Sequence, residues 1–118
     1  MKTILSISRD QLLLETRAAI LRKSGHQVIS VKTLDDFASA IHDPGVDLII
    51  LGHTLPAHER EDAYSVLKEL ACEAPVIELY AGAGPPHSPA QFHLGVHDRS
   101  FQTDLLALVR QVLSDAVN

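Results

Sequence analysis

Apolar and polar residues follow one another along the chain in short blocks, and the clearest block is the run Leu48–Leu51. All of its residues are Leu or Ile, and the run is too short for a stable helix. Continuous apolar runs of this length are typical of strands buried on both faces, as in a parallel sheet covered by helices. Further runs with strand-like composition or alternation are Thr3–Ile7, Gln27–Val31, Val76–Tyr80 and Gln91–His97.

Between these runs, apolar residues recur at helical spacing and predict the connecting helices. The stripe of the first helix comprises Leu13, Leu14, Arg17, Ala18, Ile20 and Leu21. Ser8 to Gln11 fits a capping box that begins this helix, and Thr33 is placed to cap the second. We expect the third helix from about His58 to Glu73 and the last one from near Thr103.

The connection after the fourth strand is irregular. Ala81–Pro89 contains two glycines and three prolines, which oppose both helix and strand. Ser88 to Gln91 fits a single helical turn, with Pro89 at its first position. Regular alternation of strand and helix implies a parallel sheet with helices on both faces. The expected fold is one α/β domain over residues 1–118, with a shortened or missing fourth helix.

Net charge and cysteine content limit the classes of binding partner and the cellular compartment that we expect. The chain has 118 residues, a net charge of −5 and scattered basic residues, so we expect no direct nucleic-acid binding. The single cysteine, Cys72, excludes an internal disulfide and is expected to be a small packed hydrophobe near the end of the third helix. No apolar stretch is long enough to span a membrane, and no signal peptide precedes the first strand. We therefore expect a cytoplasmic protein.

Several short motifs occur in the same order and at nearly the same spacing as in one known family. They are Ile4-Leu5, Ser24-Gly25-His26-Gln27-Val28, Asp47-Leu48-Ile49-Ile50-Leu51 before Leu55-Pro56, Pro75-Val76-Ile77, and Leu105-Leu106. Together they resemble the receiver domain of two-component response regulators over essentially the whole chain. The resemblance implies a (βα)5 flavodoxin-like fold, a three-layer sandwich whose parallel strands have the order 2-1-3-4-5.

Receiver domains accept a phosphoryl group on an aspartate at the end of the third strand, beside a divalent cation held by acids after the first strand. The resemblance assigns the nucleophile position to Gly52, which has no side chain to phosphorylate. The acidic pair falls on Ser8 and Arg9, and the hydroxyl position after the fourth strand falls on Tyr80.

The family's lysine position falls on Asp98, Arg99 or Gln102, and the last lysine of the chain is Lys68. Every component of the phosphorylation site is therefore predicted to be absent. The resemblance implies a degenerate receiver, a pseudo-receiver that does not work by aspartyl phosphorylation.

Histidines at the carboxyl end of the sheet suggest other chemistry: His53, His58, His87 and His97. Their spacing matches no zinc pattern, and solvent-facing histidines are the plainer interpretation. His53 beside the vacant position is a further candidate for a phosphoryl acceptor or a general base, without an orienting carboxylate nearby in the sequence. Arg9 is placed to hold an anion or to pair with Asp10 or Asp98.

The face from the fourth strand to the last helix is where receivers of this type bind partners or dimerise, and here it carries Tyr80, Phe92 and Phe101. We expect a signalling module that acts by phosphorylation-independent contact with a protein partner or a second copy of itself. No cofactor and no enzymatic activity are expected. The alternative is a small-ligand or metal-binding domain that uses the histidine-rich carboxyl end of the sheet.

Overall fold

The structure is a computed structural model that describes residues 2–42, 45–82, 88–97 and 99–115. Within these ranges the chain forms five strands and four helices. The strands are β1 (Thr3–Ile7), β2 (Gln27–Val31), β3 (Leu48–Leu51), β4 (Val76–Tyr80) and β5 (Phe92–Gly95). The helices are α1 (Gln11–Lys23), α2 (Leu34–His42), α3 (Ala57–Glu69) and α4 (Phe101–Asp115).

All strand pairs are parallel, and the sheet order is β2-β1-β3-β4-β5. The predicted flavodoxin-like fold and strand order are thereby confirmed. The register pairs Ile7 with Leu51, so β1 and β3 end at the same level of the sheet. The residues that follow them, Ser8 and Gly52, are therefore neighbours at the carboxyl edge.

The sheet divides the core into two halves. On the face covered by α1 and α4, the strands contribute Ile4, Leu48, Ile50, Ile77 and Leu79. On the face covered by α2 and α3, they contribute Leu5, Ile7, Ile49, Leu51 and Val76. Alternate residues of a strand point to opposite faces, so β3 supplies both halves. This is why its sequence is continuously apolar and why all of its residues are fully buried.

The first helix begins later than predicted. Asp10, not Ser8, is its N-cap, and the Asp10 carboxylate accepts a hydrogen bond from the Leu13 amide at 3.2 Å. The Ser8–Gln11 capping box is therefore wrong, because the Ser8 hydroxyl is engaged at the end of the sheet instead. The predicted cap of the second helix is confirmed: the Thr33 hydroxyl accepts from the Asp36 amide at 3.1 Å.

The third helix ends at Glu69, four residues earlier than predicted. Ala71 adopts a left-handed backbone conformation with φ of 53°, and the Cys72 amide donates to the carbonyl of Leu67 at 2.9 Å. These contacts close the last turn as in other helix C-termini. Cys72 lies beyond the helix and packs against the α2–α3 half of the core, as expected for a small hydrophobe.

The region around β5 also differs in detail from the prediction. Strand β5 is four residues long, and the chain bends at Pro89 and Gln91, where a helical turn was predicted. In the part of the β4–β5 connection that the structure describes, the fourth helix is missing, as the irregular sequence indicated. The last helix begins at Phe101, ahead of Thr103, because the Asp104 amide donates to the Ser100 carbonyl at 2.8 Å.

Two predicted site residues, His87 and Asp98, lie outside the described ranges. Among the described helices, none is long and apolar enough to cross a membrane.

Candidate functional site

The positions that the receiver resemblance singles out lie along the carboxyl edge of the sheet. Ser8 and Arg9 follow β1, Gly52 follows β3, and Tyr80 is the last residue of β4. The fifth position, Asp98, lies outside the described residues. The fold therefore brings the described members of this set to one edge.

Gly52 lies in a space that has no room for a side chain. A Cβ atom there would be 2.9 Å from the carbonyl oxygen of Ile7, 3.0 Å from Ser8 Cβ and 3.2 Å from Arg17 Nη2. The Gly52 amide donates to the same Ile7 carbonyl at 2.9 Å, which holds the two strand ends together. Because two of these three contacts are with backbone or with a short side chain, glycine at position 52 is required by packing.

Ser8 is fully buried, and its hydroxyl is committed to neighbouring groups. It shares a 2.7 Å hydrogen bond with the Thr54 hydroxyl and accepts a hydrogen bond from the Asp10 amide at 3.2 Å. The loop after β1 is thereby tied to the loop after β3. Ser8 therefore stabilises the carboxyl edge of the sheet. It has no carboxylate that could bind a cation.

Arg9 pairs with Glu59 of α3 through both Nε and Nη2, and the Nε–Oε2 distance is 2.8 Å. The expectation of an ion pair was right, but the partner was predicted wrongly as Asp10 or Asp98. Fork-shaped pairing of this kind gives a guanidinium two parallel hydrogen bonds. The bonds to Glu59 raise the pKa of Arg9 and hold the pKa of the Glu59 carboxyl below its usual value.

The predicted interface residues Tyr80, Phe92 and Phe101 are all half-buried. The Tyr80 ring lies against Gly95 of β5, where a Cβ would be 3.3 Å from the ring. Phe92 and Phe101 pack against the core of the α1–α4 face. This face therefore presents three aromatic side chains that are each only partly exposed.

Among the described residues, the histidines of this edge do not form a three-ligand cluster. His58 is exposed on α3, and the exposed His97 accepts a hydrogen bond from the Gly82 amide at its Nε2 atom, at 2.7 Å. His53 is half-buried, and its pKa is lowered chiefly by burial and next by the charge of Arg17. Within the described ranges, which exclude His87, no three His, Cys, Asp or Glu residues are placed to hold a metal ion.

A cavity of about 270 Å³ opens on the α1–α4 face, between α1, α4 and the ends of the strands. Its polar lining residues are Thr16, Arg17, His53 and Gln102, and the rest of its wall is apolar. Arg17 is only 5% exposed. We call this space the Arg17 cavity. The sequence signal for it was an arginine on the apolar stripe of the first helix.

On the opposite face, a second buried charge lies in β4. Glu78 is 1% exposed, and its carboxylate accepts a 2.6 Å hydrogen bond from the Tyr64 hydroxyl. Arg60 Nη1 lies 3.7 Å from the other carboxylate oxygen. Burial and the bond to Glu78 raise the pKa of Tyr64. Sequence reasoning missed this group, although an acid within the buried run Val76–Tyr80 is the signal that could have found it.

The Tyr64 hydroxyl continues this chain of contacts toward β5. It lies 3.4 Å from the Ser88 hydroxyl, which in turn shares a 2.9 Å hydrogen bond with Nε2 of His93. The polar groups of this face therefore have partners on α3, on the β4–β5 connection and on β5.

Comparison with known proteins establishes the fold. No family model and no curated protein matches the sequence. Among solved structures, a CheY-like response regulator receiver domain protein from Methanospirillum hungatei superposes with a TM-score of 0.82 at 20% identity, covering 98% of this chain and 96% of that one. The HemR receiver domain from Leptospira biflexa superposes with a TM-score of 0.80 at 21% identity, covering 97% and 95%.

A response regulator receiver modulated diguanylate cyclase from Pelobacter carbinolicus gives a TM-score of 0.76 at 24% identity, with 98% of this chain and 95% of that one covered. At these identities the likeness concerns the backbone. The chain therefore has the fold of response regulator receiver domains, as its sequence motifs indicated.

Proposed function

We propose that the chain is a receiver-like signal-transduction module that works without aspartyl phosphorylation and acts through protein–protein contact. The observation that carries the proposal is the closure of position 52. Aspartyl phosphorylation at this position needs both a carboxylate and space for an incoming phosphoryl group, whereas here even a methyl group meets the Ile7 carbonyl at 2.9 Å.

The surroundings of Gly52 support the same proposal. A receiver-type cation needs oxygen ligands, preferably carboxylates, at the end of the first strand. Here the Ser8 hydroxyl bonds to Thr54, and Arg9 is a cation already paired with Glu59. The nearest charged group to the vacant position is the guanidinium of Arg17, whose charge opposes a divalent cation at this point.

The contact surface that we propose is the face that runs from β4 through β5 to α4. Strand β5 is the edge of the sheet and is short, and edge strands present unpaired backbone groups that favour pairing or need cover. Tyr80, at the end of β4, combines a partly exposed ring with a hydroxyl, a combination enriched at interfaces.

Incubation of the chain with acetyl phosphate and Mg²⁺, followed by intact-mass analysis, tests the absence of phosphorylation. We expect no mass increase, and a receiver domain with an intact site serves as positive control. An acyl phosphate on an aspartate of this chain would contradict the proposal.

Sedimentation equilibrium over a wide concentration range tests the contact surface. We expect self-association that Tyr80→Ala weakens about tenfold or more, the effect of losing an aromatic hot spot. His58→Ala, a change at an exposed position of α3, is the matched control and should associate like the wild type. Equal association of the Tyr80→Ala variant and the wild type would exclude this face.

A further inference from the structure

The Arg17 cavity combines one cation with an apolar wall. Six of its lining residues are hydrophobic: Leu13, Ile20, Leu79, Val96, Phe101 and Leu105. Its volume of about 270 Å³ is close to the lower end of small-molecule sites, which begin at roughly 300 Å³. The cavity is therefore suited to one small ligand whose body is apolar.

Arg17 has fewer partners among the described residues than a buried guanidinium requires. Neither its Nε nor its Nη2 atom has a hydrogen-bond partner among the described residues, although both atoms are buried. The ion pairs in the described part of the chain are Arg9–Glu59 and Arg60–Glu78, so no described carboxylate neutralises Arg17. Buried charges in proteins are ordinarily paired, because leaving water without a partner is unfavourable.

The charge of Arg17 persists at neutral pH. Burial lowers the pKa of Arg17 to about 10, which still leaves the guanidinium protonated at pH 7. The site therefore has a permanent positive charge with no anion supplied by the described residues. An anion for Arg17 therefore has to come from outside the described residues, and the cavity beside it is open to a ligand.

The Arg9–Glu59 pair indicates which kind of anion the Nε and Nη2 atoms of Arg17 could bind. Arg9 uses Nε and Nη2 to hold the carboxylate of Glu59 with two hydrogen bonds. The same two nitrogens of Arg17 are the ones without partners. A carboxylate fits this fork by shape and charge.

We propose that the Arg17 cavity binds a small organic monocarboxylate, with the carboxylate held by the Arg17 guanidinium and the apolar body packed against the hydrophobic wall. Because Nε and Nη2 are buried, binding requires a rotation of the Arg17 side chain toward the cavity that it lines. His53 and Gln102 lie in the same lining and supply polar groups beside the carboxylate.

A phosphate or nucleotide fits this cavity less well. Phosphate groups are commonly bound by several donors together, such as glycine-rich loops or helix N-termini. The lining contains one arginine and no lysine, and the apolar wall is unsuited to a polyanion. This inference concerns the α1–α4 face alone and holds whether or not the chain acts as a phosphorylation-independent signalling module.

Titration of the full chain with hexanoate and phenylacetate, followed by ¹H–¹⁵N NMR, tests the proposal. We expect saturable shifts of amides around the cavity, from Arg17 in α1 to Leu105 in α4. Hexanamide, which has the same body without the charge, should bind about tenfold or more weakly, the ratio for losing a hydrogen bond to a charged group. Inorganic phosphate should cause no saturable shift around the cavity.

Two variants separate the role of Arg17 from the general effect of positive charge. Arg17→Met retains an apolar side chain and should weaken hexanoate binding about tenfold or more. Arg22→Met changes the net charge equally but removes an arginine that does not line the cavity and donates to the Val28 carbonyl, so it should bind like the wild type.

Three results would overturn the proposal. They are absence of saturable binding by both carboxylates, equal binding of hexanoate and hexanamide, and wild-type hexanoate affinity in Arg17→Met. The amide comparison uses the wild-type chain, so it remains decisive even if the Arg17→Met variant folds poorly.

Discussion

Each face of the sheet contains a buried charge, but only one of the two charges has partners among the described residues. On the α2–α3 face, Glu78 is 1% exposed and has both Tyr64 and Arg60 as partners. On the α1–α4 face, Arg17 is 5% exposed, and two of its nitrogens have no partner among the described residues. Ser6, whose hydroxyl is also buried without a described partner, shares the α1–α4 face by strand alternation with Ile4.

The two faces differ in whether the buried charge has hydrogen-bond and ionic partners among the described residues. A satisfied buried carboxylate fixes α3 and the β4–β5 connection to the sheet and leaves no charge for a ligand. On the α1–α4 face, the buried guanidinium has no anionic partner among the described residues, so an anion bound in the adjacent cavity would be stabilising. This difference supports the proposal that a ligand binds on the α1–α4 face, and it gives the buried charge of the α2–α3 face a structural role.

The largest expected effect comes from removing both partners of Glu78. Arg60→Met combined with Tyr64→Phe should lower the free energy of unfolding by about 3–5 kcal/mol, because the carboxylate is left buried and unpaired. Urea unfolding measures this loss. Adding Glu78→Leu should recover most of it, and a double variant as stable as the wild type would show that the two faces do not differ in this way.

Filling position 52 should have the next largest effect. Gly52→Ala should lower the free energy of unfolding by about 1–3 kcal/mol, since the new methyl group meets the Ile7 carbonyl and Ser8. Gly95→Ala is the matched control, because its closest contacts are at 3.3 Å and are with the Tyr80 ring, which can shift. Equal losses in the two variants would contradict a closed position 52.

Removing the unpaired cation should stabilise the chain. Arg17→Met should raise the free energy of unfolding by about 1–2 kcal/mol in the absence of ligand, because a buried charge with no anionic partner among the described residues is replaced by an apolar side chain. Urea unfolding in ligand-free buffer measures the change, with Arg22→Met as control. A clear loss of stability in Arg17→Met would mean that Arg17 is paired after all.

The smallest expected effect concerns His53. Its pKa is lowered in the folded chain, so the unfolded chain binds the proton more readily. The stability due to neutral His53 should be present above its ordinary pKa of 6.5 and should be lost as the pH falls below it. Stability measured from about pH 7.5 to 5.5 should therefore decline less in His53→Gln than in the wild type.

NMR titration of the His53 ring refines this test. Arg17→Met should raise the pKa of His53, because the charge of Arg17 is one of the causes that lower it. His58→Gln, on the exposed face of α3, should leave the titration of His53 unchanged. An unaltered His53 titration in Arg17→Met would place the guanidinium away from the cavity rim.

The fold could be predicted because it depends on local patterns. Leu48–Leu51 is buried on both faces, and that alone requires helices on each side of the sheet. The cap at Thr33 was also predictable, because its partner lies three residues away. The Ser8 cap was predicted wrongly, because Ser8 bonds to Thr54 across the end of the sheet, a partner that no local pattern reveals.

The site was less accessible from the sequence, because its contacts join distant segments. Gly52 was singled out by position, but only the structure shows the Ile7 carbonyl and Arg17 against it. Arg9 pairs with Glu59, fifty residues later in the chain, whereas Asp10 or Asp98 was the predicted partner. A charged residue within an apolar stripe or a buried strand, as at Arg17 and Glu78, was the one signal that the sequence offered for both faces.

Titration of the ¹⁵N-labelled chain with beryllium fluoride and Mg²⁺ tests the central claim most directly. Beryllium fluoride mimics a phosphoryl group on an aspartate in a receiver-type site, so it requires the carboxylate and the cation that we propose are absent. We predict no saturable shift of the amides at Ser8, Gly52 and Thr54. Saturable shifts at these amides would contradict the account of a receiver fold that signals without phosphorylation.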